Sequence, residues 1–240
     1  MAIRHWSMGK LVGVASLLAL IGFLLYQFGL FVMVLTLTVR DPSSSAFMKA
    51  SLNTLRQADA QAELKHEWVP YDRISTHLKR AVIASEDANF TNHDGVEWEA
   101  IKRAWQYNQR QAEQGGERRR GGSTISQQLA KNLFLSDSRS YWRKGQELII
   151  TYMLEAVLSK ERILELYLNL AQWGEDVFGA QAAARHYFRT DAGKLGAAQA
   201  ARLAAMLPNP AFYDRQGGNT AYLRQRANTL MQRMRMVTVP

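Results

Sequence analysis

The 240-residue chain contains no cysteine. That excludes disulfides, iron–sulfur clusters and a cysteine nucleophile, and leaves the redox compartment open. Two common site signatures are missing as well. No G-x-x-x-x-G-K-[ST] loop occurs, and "HEW" at 66–68 lacks the second histidine of H-E-x-x-H. Internal repeats, sustained heptads and strand-period alternation are absent, so a mainly α domain with minor β content is expected. Acidic residues are in deficit: 21 Asp and Glu stand against 30 Lys and Arg, a formal net charge of +9. Such a surplus favours anionic partners, whether nucleic acid, acidic lipid or phosphate-bearing substrates.

What is present begins with a long apolar run. Residues 11–39, "LVGVASLLALIGFLLYQFGLFVMVLTLTV", have Gln27 as their strongest polar interruption. A bilayer core takes about 20 such residues in a helix. A cleaved signal peptide has an apolar region of about 7–15 residues and a small-residue cleavage site. Here "RDPSSSAF" follows Val39 instead. The reading is an uncleaved single-span anchor preceded by a cytoplasmic tail, 1–10. Arg4, His5 and Lys10 precede the span, whereas Arg40 is offset at once by Asp41. The positive-inside rule then places the rest of the chain on the outer face. Residues 40–68 are read as a linker and membrane-proximal segment, with 46–66 helical and polar-rich, and 69–240 as the working domain.

Within that domain the apolar spacing predicts helices over 75–86, 95–112, 124–135, 139–158, 160–171, 176–187, 196–207 and 219–235. Thr124 with Gln127 three residues on forms a capping box. Ile125, Leu129 and Leu133 give helix 124–135 a buried stripe; Ser123, Gln127 and Lys131 fall on roughly the opposite face. Gly121–Gly122 lead into a helix start whose free N–H groups favour an anion. On the next helix Arg139, Arg143 and Glu147 lie four apart at the head of an apolar stripe. Such a carboxylate is either a structural ion pair or a functional acid held in place.

A third group lies in "ASEDANFTNHDGVEW" at 84–98. Glu86 and Asp87 sit at the C-terminal end of a helix, where the dipole disfavours negative charge. Dipole and neighbour both act to raise a carboxyl's pKa, as wanted in a general acid or base. His93 reads as a packing or hydrogen-bonding residue, since no metal-ligand spacing surrounds it. Two carboxylates with polar amides suggest glycosidic chemistry, and the cations suggest a phosphate-bearing substrate or leaving group.

Four segments in order, "EDANFTNHDG" (86–95), "RGGSTISQQLAKN" (120–132), "RKGQE" (143–147) and "KERILELYLN" (160–169), resemble motifs of the peptidoglycan glycosyltransferases. These are the glycan-polymerising domains also found in bifunctional penicillin-binding proteins. "GAQAAARHYF" (179–188) and "LAAMLPNP" (203–210) resemble later family segments. After Pro210 there is no room for a transpeptidase domain, and no S-x-x-K with a K-T-G partner occurs, which is similar to the monofunctional branch.

The resemblance implies a lysozyme-like, mainly α domain with a smaller membrane-facing lobe. It implies an inner-membrane, single-pass enzyme with a periplasmic catalytic domain, polymerising lipid II with inversion and release of undecaprenyl pyrophosphate. Glu86 matches the general base and Glu147 the second family glutamate, at the leaving side. Arg103, Ser123, Gln127, Lys131 and Arg139 match donor-site positions. No cofactor is required, with a divalent cation (Mg or Mn) optional. The partners implied are lipid II, the growing strand, the membrane and cell-wall synthesis or division proteins, with no nucleic acid. Ser126 stands where Thr is usual, a change that keeps the hydroxyl, and Gln199 stands where Glu is usual, which puts a stability contact of the C-terminal lobe in question. Two other readings share the residue pattern: a glycan-cleaving lytic enzyme of similar fold, and a non-catalytic anchored module that binds anions.

Overall fold

The computed structural model describes residues 8–116, 121–135 and 140–240. They fall into two compact units, one ending at Arg40 and the other running from Asp41 to Pro240. The first unit contains α1 (Met8–Thr36), a helix long and apolar enough to cross a membrane. It starts and ends three residues before the apolar run, because Gly9 and Lys10 continue the helix while Leu37–Val39 form a turn.

The second unit is mainly helical. In order, it contains α2 (Ala46–Ala58), β1 (Lys65–His66), α3 (Thr76–Glu86), α4 (Trp98–Glu113), α5 (Ile125–Phe134), α6 (Tyr141–Val157) and α7 (Lys160–Leu170). There follow β2 (Val177–Phe178), α8 (Ala180–Phe188), α9 (Ala197–Met206), α10 (Pro210–Arg215) and α11 (Ala221–Arg233). Most helix starts carry the cap their sequence offers. Ser45, Ser75, Ser140, Ser159 and Thr220 each accept a backbone N–H of the first turn, worth about 1 kcal/mol apiece.

Three expectations shift. Helix does not extend from 46 to 66: it stops at Ala58, and Lys65–His66 pair in parallel with Val177–Phe178. That same pairing delays the helix expected from 176 until Ala180. The helix expected from 95 begins at Trp98, because Gly95 adopts φ 89°, outside the helical region. α10 has no counterpart among the expected elements; Pro210 at its start supplies the pre-set φ.

α5 is the central helix, packed against α2, α6 and α7. Ile125 and Leu129 are fully buried and Leu133 nearly so, each large side chain contributing about 1.5–3 kcal/mol. A second cluster joins α3, α9 and α11. The basic C-terminal helix buries Leu223, Ala227, Leu230 and Met234 at its contact, so its apolar face is taken up within the domain.

Candidate active site

α3 and α5 meet at their ends, and Asp87 makes the joint. Its buried carboxylate accepts the Ile125 N–H at 3.0 Å and the His93 Nε2–H at 2.9 Å. His93 Nδ1 accepts the Gly95 N–H at 3.1 Å, which assigns the ring proton to Nε2. The anion expected at the start of α5 is therefore the protein's own Asp87. Thr124 and Gln127 form the capping box, with Thr124 Oγ1 accepting the Gln127 N–H and Gln127 Oε1 accepting the Thr124 N–H. The Thr124 hydroxyl also donates to Gly95 O at 2.6 Å.

Gly122 is packed against a helix. A Cβ there would lie 2.9 Å from the Ile101 Cα, so the close approach is to α4, while a Cβ on Gly121 would meet nothing within 4 Å among the described residues.

Glu86 is the last residue of α3 and is half-buried. Its Oε1 accepts from the Ser85 hydroxyl at 2.8 Å, and its Oε2 accepts from Gln128 Nε2 at 3.1 Å. Gln128 is held in turn by the Tyr167 hydroxyl, which donates to its Oε1 at 3.0 Å. Tyr167 is buried, and its phenol pKa is pushed well above the ordinary value by burial first and by the Glu86 and Asp87 carboxylates second. It stays a neutral donor. No ion pair to Glu86 occurs among the described residues.

A cleft of about 770 Å³ opens in front of this carboxylate. Ser85, Glu86, Gly121, Ser123 and Gln128 line it on one side, and Tyr222, Arg226, Thr229 and Arg233 of α11 on the other, with Pro208 and Leu230 completing the wall.

Glu147 is differently placed. It is buried on α6, with Arg143 Nη1 donating to its Oε2 at 2.7 Å and Lys144 Nζ to its Oε1. Lys144 Nζ also lies 3.4 Å from Ser123 Oγ, on the rim of the cleft. Both glutamates thus reach the N-terminal end of α5, Glu86 through Gln128 in the helix and Glu147 through Lys144 and Ser123 just before its cap. Neutral donors hold the first; two cations hold the second.

The remaining expected site residues are scattered. Ser123 is exposed and lines the cleft. Gln127 differs from the open polar face expected of it: it is buried, and its Oε1 is committed to the cap. Lys131 lies with its Nζ 5.6 Å over the Phe47 ring of α2. Arg103 donates to Glu97 at 2.8 Å on the exposed side of α4. Neither lines the cleft. Arg139, like Arg118–Arg120, lies outside the described residues. Gln128 and Lys144 fall inside the quoted segments 120–132 and 143–147 but no spacing marks either, and Arg226 lies outside all of them; an adjacent Gln-Gln pair offers two phases and only one can face the cleft.

Both departures from the family pattern have local partners. The Ser126 hydroxyl donates to Glu155 at 2.5 Å, and Glu155 pairs with Lys160 at 2.8 Å, so the hydroxyl is the part of the side chain in use. Gln199 Oε1 accepts the Gly196 N–H at 3.0 Å, capping α9, which an amide oxygen does as well as a carboxylate. Among the described residues no group of three or more His, Asp or Glu is placed to hold a metal ion.

Comparison with known proteins follows the same outline. The transglycosylase family model matches residues 51–235. A protein named biosynthetic peptidoglycan transglycosylase from Bordetella pertussis (strain Tohama I) is 66% identical over 217 residues, covering 90% of this chain and 89% of that protein. A Bordetella avium protein of the same name is 63% identical over 218 residues, covering 91% and 90%. One from Methylobacillus flagellatus is 55% identical over 224 residues, covering 93% and 96%.

Proposed function

The chain belongs to the transglycosylase family, and from that premise we infer that it is a biosynthetic peptidoglycan transglycosylase. It polymerises lipid II into linear glycan strands in cell wall synthesis. The observation that carries the mechanism is the contrast between the two glutamates. Glu86 faces the cleft, fixed at both oxygens by neutral donors and free of any ion pair among the described residues. Glu147 is buried against Arg143 and Lys144.

Glu86 is the general base: it takes the proton from the 4-hydroxyl of the acceptor sugar as that oxygen attacks C1 of the donor. The C1–O bond to undecaprenyl pyrophosphate breaks on the opposite face, and the anomeric centre inverts. Two bonds are exchanged, one proton passes to Glu86, and the pyrophosphate leaves with the electron pair. Negative charge builds at the leaving group, so fixed cations near it stabilise the transition state. Lys144, held by Glu147 and reaching the Ser123 hydroxyl, is placed for this, with Arg143 behind it. Glu147 acts by aiming those cations. The reading calls for no cofactor.

α1 anchors the enzyme, with the short N-terminal tail on the cytoplasmic side and the 41–240 unit on the outer face, where lipid-linked substrate is held close to the cleft. Reporter fusions at either end of α1 test that orientation.

Purified protein with labelled lipid II and gel separation of products tests the chemistry. Wild type gives long glycan chains, and Glu86→Gln gives none while keeping its fold. A normal polymerisation rate from Glu86→Gln removes the base assignment. Shortening of preformed glycan by wild type, with lipid II untouched, makes the enzyme a lytic one. Lipid II binding with no product from wild type makes it a binding module.

A further inference from the structure

We propose that Arg226 of α11 is a positioning residue of the catalytic centre, acting on Glu86 through the hydroxyl of Ser85. The proposal rests on the reading of Glu86 as the base. Ser85 stands where three helices join. Its Oγ lies 2.8 Å from Glu86 Oε1 on α3, 3.2 Å from Ala204 O on α9, and 3.1 Å from Arg226 Nη2 on α11. A hydroxyl has one proton and two acceptor positions. The guanidinium can only donate, so it takes one of the acceptor positions. The single Ser85 proton is then left to choose between a neutral carbonyl and a carboxylate, and the carboxylate is the stronger acceptor and the nearer one. A cation on the far side of the hydroxyl polarises the O–H further towards Glu86.

Glu86 needs such a device. It ends α3, and the next residue leaves the helix with φ −161°, so no following turn of α3 packs over its side chain. One carboxylate oxygen is fixed by Gln128, itself held by buried Tyr167; among the described residues the other is fixed by Ser85 alone. Each oxygen keeps an acceptor position for the incoming hydroxyl.

Arg226 is also unusual among the arginines of its helix. Leu223, three residues before it, and Leu230, four after, are both buried, so Arg226 lies on the contact face rather than the solvated one. Its Nε is buried without a hydrogen-bond partner among the described residues. It makes no ion pair among the described residues. A partly buried cation with no carboxylate is costly to a fold, and here its directed contact is the hydroxyl beside Glu86.

Steady-state polymerisation of lipid II by the full chain tests this with Arg226→Gln, Arg226→Lys, Ser85→Ala and the double variant Ser85→Ala/Arg226→Gln. Each single neutral variant is expected to lower kcat about ten- to thirtyfold with KM within about twofold. The double variant is expected to be no worse than the poorer single one, since both break the same relay. Arg226→Lys keeps a cationic donor and recovers part of the loss. Losses that multiply in the double variant overturn the relay. So does a change confined to KM, which makes Arg226 a substrate contact, and so does a lowered melting temperature in Arg226→Lys without recovered kcat. Glu86→Gln, assayed alongside, separates the two levels: an unimpaired Glu86→Gln removes the base assignment. An inactive Glu86→Gln with unchanged Arg226 variants removes the relay alone.

Discussion

Asp87 and Ile125 join the two helices of the site: the carboxylate that follows the last residue of α3 accepts the first N–H of α5 at 3.0 Å. One side chain thereby relieves two misplaced charges. A carboxylate near the negative end of α3 is disfavoured there and favoured at the positive end of α5. Because Glu86 precedes Asp87 and Gln128 follows Ile125 by three, this contact helps to set the distance between the Glu86 carboxylate and the amide that holds it.

Asp87→Ala leaves the Ile125 N–H and the His93 Nε2–H without an acceptor in a buried site. It is expected to lower stability by about 2–4 kcal/mol, measured by urea unfolding. Adding His93→Ala should cost much less than His93→Ala does alone, since the two share the contact. Equal, additive losses would show the pair to be independent.

Gly95 is the second fixed point. Its φ is 89°, and a Cβ would stand 2.8 Å from Thr151 Cγ2 and 2.9 Å from Glu155 Cγ. Gly95→Ala therefore combines a left-handed backbone with overpacking, and about 2–4 kcal/mol of destabilisation is expected. Gly121→Ala, in open space, is the matched control and should unfold at the wild-type denaturant midpoint.

Lys144→Met removes the cation that links Glu147 to Ser123 while keeping its length. Its side chain is 46% exposed, so the melting temperature should move little. kcat should fall on the order of 10²-fold, the usual scale for losing one electrostatic contact to a developing anion. An unchanged kcat would take Lys144 out of the leaving-group side.

Asp214 gives the fold a pH dependence. Burial opposes its ionisation, but the Glu175 N–H, the Tyr187 hydroxyl and His186 together outweigh burial and hold its pKa below the ordinary aspartate range. A depressed folded pKa contributes stability above the unfolded value, lost as pH falls through it. Asp214→Asn should thus be less stable than wild type by about 1–2 kcal/mol at pH 7. The gap should close as pH drops from about 4 downward. A gap constant with pH would mean that the loss is one of packing.

The helices were the legible part of this molecule. Apolar spacing and caps are local, and the starts of α3, α5, α6, α7, α9 and α11 all fall within two residues of expectation. The capping box, and the places of Glu86 at the end of α3 and of Glu147 on α6, could be read for the same reason. The choice between Gln127 and Gln128 could not. Ser123 and Gln127 are four apart, but Ser123 precedes a cap residue with φ −80° and ψ 168°, so the 100° helical phase does not reach back to it. Arg226 escapes sequence reasoning for a plainer reason: its contact with Ser85 spans 141 residues, and no periodicity carries that far.

The position of α11 in the chain also bears on biosynthesis. Both glutamates, the cap and the α5–α7 segment precede α11 in the chain, and α11 carries one wall of the cleft. A chain made only as far as α10 therefore holds Glu86 without the surface that faces it across the cleft. The cleft is complete only once α11 packs on α3 and α9, so its closure waits on the C-terminal end of the domain.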